Sequence, residues 1–266
     1  MAPPSSDGRP AAAGSAGESL RTVLCVLFDV DDTLYDHTFA SQAALRAVTQ
    51  DEPSLAETEF QPLLTANMRI LETLHPSVVE GRMSLDDARV ERFRQLLTRF
   101  SGDVERATEL ADRFAEQYDK NERLVPGVDL LLPWLAKFGI KMGIVSNNTL
   151  AKQEGKLARL GIDAHFEDIV VSAEHGVAKP DRRLFDVALK RIASAAADTV
   201  HVGDRWDLDV VGARAAGVTP VWFNRFGLEA GNGEPPVQLA SFKDPRQATA
   251  VILDIGQVPI EGNGNA

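Results

Sequence analysis

Short apolar runs alternate with amphipathic helical stretches along most of the chain. The first run, residues 23–28, is six apolar residues long and ends at a cluster of acids. A run of this kind is typical of a strand buried on both faces of a parallel sheet. Further strand-like segments, mostly apolar, follow at residues 140–145, 169–171, 199–202, 220–223 and 237–240. Since helical patterns separate them, the sequence predicts an α/β fold built from βαβ units, with a parallel sheet at its centre.

Residues 38–122 carry only the helical pattern. Phe93, Leu96, Leu97 and Phe100 recur at helical spacing, and Ser84 begins a capping-box-like start to that helix. We therefore predict an all-α helical domain at 38–122, inserted into an α/β core formed by residues 21–37 and 123–255. Residues 1–20 include 15 Ala, Pro, Gly or Ser residues and are predicted to be a disordered tail, and residues 256–266 a second tail.

Charge, hydrophobic run length and cysteine content exclude several classes of protein. The formal charge is −11 and no cluster of Lys and Arg is found, which argues against a nucleic-acid partner. No apolar run approaches the roughly 20 residues needed to cross a bilayer, so we expect no membrane partner. The single cysteine, Cys25, excludes a disulfide within the chain and favours a reduced, cytoplasmic setting. We expect a monomer or a homodimer.

Polar residues follow four of the predicted strands. Because the carboxyl ends of parallel strands meet at one edge of a sheet, these side chains can converge there. In chain order they are Asp29, Asp31 and Thr33 after the first strand, Ser146 and Asn147 after the second, Lys179 in the loop beyond the third, and Asp204 and Asp209 after the fourth.

Carboxylates this close together repel one another unless a cation joins them, and oxygen ligands suit Mg²⁺. A calcium-binding EF-hand loop is rejected, because its Gly and final Glu positions hold Leu34 and Ala40 here. A simple capping cluster remains the alternative for the first motif alone. The whole set suits phosphoryl transfer, in which a carboxylate is the nucleophile, a lysine and a metal offset charge, and a second carboxylate exchanges protons.

These motifs resemble those of the haloacid dehalogenase superfamily, on its phosphatase side. Asp-x-Asp-x-Thr matches residues 29–33, the Ser after the second strand matches Ser146, Lys-Pro matches Lys179 and its neighbour, and Gly-Asp with a later Asp matches residues 203–209. The likeness covers residues 23–255. It implies a Rossmann-like core with helices on both faces and a type-1 all-α helical cap.

The resemblance also implies roles for the site residues. Asp29 would be the nucleophile and a metal ligand, and Asp31 the general acid and base, with its backbone carbonyl at the metal. Ser146, Asn147 and Lys179 would bind the phosphoryl group. Asp204 would bind Mg²⁺, and Asp209 would orient Lys179 or a metal-bound water. Thr33 would shape the loop.

The function this predicts is Mg²⁺-dependent hydrolysis of a small phosphorylated metabolite, a phosphomonoester, through an aspartyl-phosphate. A phosphomutase or a 2-haloacid dehalogenase of the same superfamily is the alternative, and a phosphoacceptor signalling module is another. Dehalogenases lack an acid two residues after the nucleophile, so Asp31 favours the phosphatase. The signalling module lacks a long helical insert and places its acceptor on a later strand than its acidic pair.

Overall fold

The computed structural model describes residues 23–79 and 81–253. The predicted tails at 1–20 and 256–266 lie outside the described residues. No helix in the described ranges combines the length and apolar character that crossing a bilayer requires.

A parallel sheet of six strands forms the centre of the fold, in the order β3-β2-β1-β4-β5-β6. All the strand pairs are parallel, and β1 is central because Phe28 lies between Ile144 of β2 and Val202 of β4. The predicted α/β sheet is thus confirmed. The strands are Cys25–Phe28 (β1), Lys141–Ser146 (β2), Asp168–Val171 (β3), Thr199–Gly203 (β4), Thr219–Phe223 (β5) and Val237–Leu239 (β6).

The first five α-helices of the described chain follow β1 and form the helical insert. Their apolar stripes pack on one another in a cluster of their own, which includes Leu45, Leu63, Phe93 and Leu110. Ser84 caps the fourth of these helices as predicted, because its Oγ accepts a hydrogen bond from the backbone N–H of Asp87 at 3.0 Å. The helices are His37–Thr49 (α1), Pro53–Ala56 (α2), Phe60–Val79 (α3), Leu85–Arg99 (α4) and Ala107–Lys120 (α5).

Helices cover both faces of the sheet. Successive residues of β1 point to opposite faces, and each face packs against its own set of helices. Val26 and Phe28 join the hydrophobic cluster beneath α6 and α11, whereas Cys25 and Leu27 join the cluster beneath α9. The predicted helices on both faces are confirmed. These helices are Val128–Lys137 (α6), Leu150–Arg159 (α7), Ser172–His175 (α8), Arg182–Ile192 (α9), Val211–Ala215 (α10) and Pro245–Leu253 (α11).

Single turns fill several connections. The turn Trp206–Val210 is π-helical and leads into α10, and it carries Asp209 back under the end of β4. The other turns, of 3₁₀ type, are Val104–Arg106, Asp163–His165 and Ala196–Asp198.

Candidate active site

The predicted site residues meet at the carboxyl edge of the sheet. The backbone N–H of Asp29 donates to the carbonyl of Val202 at 2.9 Å, which fixes Asp29 where β1 ends beside β4. Ser146 is the last residue of β2, and Asp204 directly follows β4. The buried members of the predicted set are Asp29, Thr33, Ser146, Lys179, Asp204 and Asp209.

Lys179 lies between two buried carboxylates. Its Nζ is 2.6 Å from Oδ1 of Asp29 and 2.6 Å from Oδ1 of Asp209, and its side chain is only 2% exposed. His201 Nε2 lies 3.0 Å from the same Oδ1 of Asp209, and the backbone N–H of Arg205 donates to Oδ2 at 3.0 Å. Both oxygens of Asp209 are therefore occupied, so this residue holds Lys179 in place.

A glycine makes room for that arrangement. A Cβ at Gly203 would lie 2.3 Å from Cγ of Asp209. Only a residue without a side chain lets the Asp209 carboxylate pack against the end of β4. The Gly-Asp motif therefore has a steric reason at Gly203 as well as a chemical one at Asp204.

Burial sets the protonation of the three acids. It raises the pKa of Asp29 to about 7 although Lys179 pulls in the opposite direction. Burial, followed by the negative charge of Asp29, raises the pKa of Asp204 to about 9. Burial also acts to raise the pKa of Asp209, but Lys179 and His201 outweigh it and hold that pKa below its usual range. The site thus concentrates negative charge that a cation would relieve.

The same acids can hold a divalent ion. Asp29, Asp204 and Asp209 each offer a carboxylate oxygen, and these oxygens lie within 4.8 Å of one another. Oδ1 of Asp204 is buried and has no hydrogen-bond partner among the described residues. Since the oxygens of Asp209 are already bonded, Asp29 and Asp204 are the two that fit a metal, and a set of hard oxygens suits Mg²⁺.

Asp31 lies apart from this cluster. Its side chain, 33% exposed, forms an ion pair with Lys156 and accepts a hydrogen bond from Gln153 Nε2 at 3.2 Å. Gln153 Nε2 also donates to Oγ of Ser146 at 2.8 Å. Burial acts to raise the pKa of Asp31, but Lys156 outweighs it and the pKa lies below its usual value. Asp31 is therefore a partly exposed, charged group that Gln153 links to Ser146.

Sequence reasoning missed Gln153 and Lys156. Both lie on the buried side of α7 with Leu157, so a polar pair on the apolar face of an amphipathic helix was the available signal. Lys156 also lies above the ring of Tyr35, with Nζ 4.3 Å from the ring centroid. His201 was also missed, because a histidine within an apolar strand is predicted to be a residue of the hydrophobic core.

Asn147 and Thr33 support the loops of the site. Nδ2 of Asn147 donates to the carbonyl of Lys179 at 3.0 Å, and the backbone N–H of Lys179 donates to Oδ1 of Asn147 at 2.7 Å. This pair of bonds fixes the backbone of Lys179, whereas the phosphate contact predicted for Asn147 stays a prediction. The hydroxyl of Thr33 lies 3.4 Å from Oδ2 of Asp29.

A charged network joins the site to the first helix of the insert. Asp32 has φ of +63°, a left-handed conformation that Asp tolerates, and this turns the chain after Asp31. Arg225 Nη2 lies 2.6 Å from Oδ1 of Asp32 and 2.6 Å from Oδ1 of Asp36. Arg123 also pairs with Asp36 at 2.6 Å. Sequence reasoning missed both arginines, which are distant from residues 32–36 along the chain.

Comparison with known proteins agrees with this geometry. Residues 23–217 match the model of the haloacid dehalogenase-like hydrolase family. The chain is 34% identical to a glyceraldehyde 3-phosphate phosphatase of Methanopyrus kandleri over 76% of this chain and 84% of that one. It is 31% identical to a phosphoserine phosphatase of Thermus thermophilus over 75% of this chain and 88% of the relative.

A solved structure shows the same fold. The Bacillus subtilis protein YfnB, bound to magnesium, superposes with a TM-score of 0.70 and 25% identity, covering 88% of this chain and all of that one. The match to the family extends over well more than half of the sequence and includes every predicted site residue from Asp29 to Asp209. The chain belongs to the haloacid dehalogenase-like hydrolases.

Proposed function

We propose that this protein is a Mg²⁺-dependent phosphatase that hydrolyses a small phosphomonoester through a phosphorylated Asp29. The observation that carries the proposal is the environment of Asp29. This buried carboxylate lies 2.6 Å from the ammonium of Lys179 and within 4.8 Å of a carboxylate oxygen of Asp204. Family membership and the phosphatases among the relatives support a hydrolase of phosphoric monoesters.

In the first step an oxygen of Asp29 attacks phosphorus, and the bond from phosphorus to the ester oxygen breaks. The leaving alkoxide takes a proton from Asp31, giving a free alcohol and an aspartyl-phosphate. Lys179 is positioned to neutralise the phosphoryl oxygens, and Ser146 Oγ to hydrogen-bond with them. Mg²⁺ held by Asp29 and Asp204, with the backbone carbonyl of Asp31 as a further ligand, would supply charge compensation.

In the second step Asp31, now ionised, takes a proton from water as that water attacks the phosphorus. The bond between phosphorus and Asp29 breaks, inorganic phosphate leaves, and both acids return to their first state. Asp31 begins ionised beside Lys156, but a phosphate dianion bound next to it raises the pKa of its carboxyl by repulsion. Substrate binding thus prepares Asp31 to carry the proton that it donates.

The substrate is a small phosphorylated metabolite. Relatives act on glyceraldehyde 3-phosphate and phosphoserine, and another, from Halopiger xanaduensis, is a ribulose-1,5-bisphosphate 5-phosphatase. The carboxyl group of Asp31 supports the phosphatase over a dehalogenase, because a leaving alkoxide needs a proton and a leaving halide does not. A cytoplasmic location, the cap boundaries at 38–122 and a monomeric or dimeric state remain predictions.

The test is release of inorganic phosphate from a panel of phosphomonoesters, with Mg²⁺ or with a chelator. We expect turnover only with the metal, and at least a thousandfold loss of kcat in Asp29→Asn. Asp207→Asn is the matched control, since Asp207 is exposed and its ion pair is with the neighbouring Arg205, and it should keep wild-type activity. Full activity in Asp29→Asn would refute the assignment of the nucleophile.

A further inference from the structure

Arg92 of α4 is a buried cation for which the described residues provide no ion pair. The residue is 3% exposed, and its Nε and Nη2 atoms are buried without a hydrogen-bond acceptor in the described part of the chain. Burial, and then the like charge of Arg89, lower the pKa of Arg92 to about 9. A buried charge is normally paired, because the interior solvates it poorly. No described carboxylate pairs with Arg92.

Ring contacts do not account for this burial. The guanidinium carbon of Arg92 lies 4.1 Å from the ring centroid of Phe114 and 5.0 Å from that of Phe93. Arg46 makes a closer contact, 3.4 Å from the ring centroid of Phe60, while its side chain stays exposed to solvent. An aromatic face attracts the charge but accepts few of the N–H bonds, so the donors of Arg92 still need an oxygen.

Aromatic side chains connect Arg92 to the catalytic site. Phe114, beneath the guanidinium, stacks on Tyr118 one turn further along α5, with ring centroids 6.2 Å apart. The ring of Tyr118 meets that of Tyr35 edge-on at 5.9 Å. Burial, and then the negative charge of Asp31, raise the pKa of Tyr118, so this phenol is within electrostatic range of Asp31.

A second link between this part of α4 and the site is electrostatic. Arg89 lies one turn earlier on α4, and partial burial together with the charge of Arg89 lowers the pKa of Lys152. Lys152 stands on α7 one turn before Lys156, the partner of Asp31. The turn of α4 that carries Arg89 and Arg92 therefore packs against α5 through Phe114 and lies within electrostatic range of α7.

We propose that Arg92 binds a second anionic group on the substrate, a carboxylate or phosphate carried by the leaving alcohol. Lys152, exposed at the rim and without an ion pair among the described residues, adds attraction at longer range. The inference rests on the proposed phosphatase function and names its substrate class as phosphomonoesters with a further anionic oxygen group. The guanidinium fork can give such a group two parallel hydrogen bonds.

Three esters on one carbon skeleton test this directly. They are 3-phosphoglycerate, glycerol 1,3-bisphosphate and the neutral-ended glycerol 3-phosphate, each measured as a substrate and as a competitor of p-nitrophenyl phosphate. We expect the two anionic-ended esters to bind at least tenfold tighter than glycerol 3-phosphate. In Arg92→Met their kcat/KM should fall about tenfold to a hundredfold, mainly through KM, as loss of hydrogen bonds to a charged group predicts. Glycerol 3-phosphate should change less than about threefold.

Controls separate binding from folding. Arg92→Lys, which keeps the charge, should retain an intermediate preference, and Arg46→Met should match wild type with all three esters. Arg92→Met should also raise the melting temperature of the ligand-free protein, because an unpaired buried charge is replaced by an apolar chain of similar length. A purely structural Arg92 would instead lower it and would weaken all three esters equally, which would overturn the inference.

The two proposals can fail separately. If p-nitrophenyl phosphate is hydrolysed but the three esters bind equally, the Arg92 proposal is wrong and the phosphatase stands. If no ester releases phosphate, the proposed function fails, and a thermal-shift titration with the same esters still reads their binding. A larger shift with the two anionic-ended esters, lost in Arg92→Met, supports the Arg92 site in that case, and equal shifts refute it.

Discussion

Lys179→Met should weaken the folded state as well as the activity. Methionine keeps the length of the side chain but removes an ammonium 2.6 Å from each of two carboxylates in a site where the lysine is 2% exposed. Breaking a buried pair costs about 3–5 kcal/mol. Asp29, whose pKa is already raised to about 7, can escape part of this cost by binding a proton, so we expect a loss of about 3 kcal/mol at pH 7.

The assay is urea unfolding in the presence of a chelator, with Lys190→Met as a control that removes an exposed lysine. The pH dependence has a definite sign. Since the pKa of Asp209 is held down in the folded protein, its ion pair stabilises the fold above about pH 4 and is lost as pH falls through the folded pKa. The difference between wild type and Lys179→Met should therefore shrink below about pH 4. Equal stability at pH 7 would refute the role given to Lys179.

Three further changes probe other parts of the site. Saturating Mg²⁺, at about 100 times its Kd, should raise the free energy of unfolding by about 2.7 kcal/mol. The affinity for Mg²⁺ should increase as pH rises through the raised pKa values of Asp29 and Asp204, because the ligands must be ionised. Calorimetry should show that Asp204→Asn loses this stabilisation. Gly203→Ala should displace the carboxylate of Asp209 and reduce kcat by at least about tenfold in steady-state assays, with little change in KM. Asp36→Asn should keep the helix cap yet cost about 2 kcal/mol at pH 7 by thermal or urea unfolding. The cost should be smaller at pH 3, because burial acts to raise the pKa of Asp36 but its arginine partners outweigh it and depress that pKa.

The sequence predicted the sheet and the positions of the acids because both depend on local pattern. An apolar run that stops at Asp29 or Asp204 marks a strand end, and parallel strands bring such ends to one edge. The partners of those acids were not predictable in the same way. Lys156 reaches Asp31 across 125 residues, and Arg225 reaches Asp36 across 189, so only the folded chain brings them together.

Arg92 shows another gap between sequence and structure. Arg92 lies in a helix with many charged residues, so its sequence context predicts an exposed arginine. The structure buries it, because α5 covers it with Phe114. Whether a charged residue is paired depends on packing between helices, which hydrophobic periodicity does not report.

In the proposed reaction Asp29 accepts the phosphoryl group beside a metal that it shares with Asp204. The most direct measurement is to quench the enzyme during turnover, reduce the acyl phosphate with borohydride, and locate the modified residue by peptide mass analysis. We expect conversion of Asp29 to homoserine, only with Mg²⁺ and substrate, and none in Asp204→Asn. Modification at another residue, or turnover without any modification of Asp29, would contradict it.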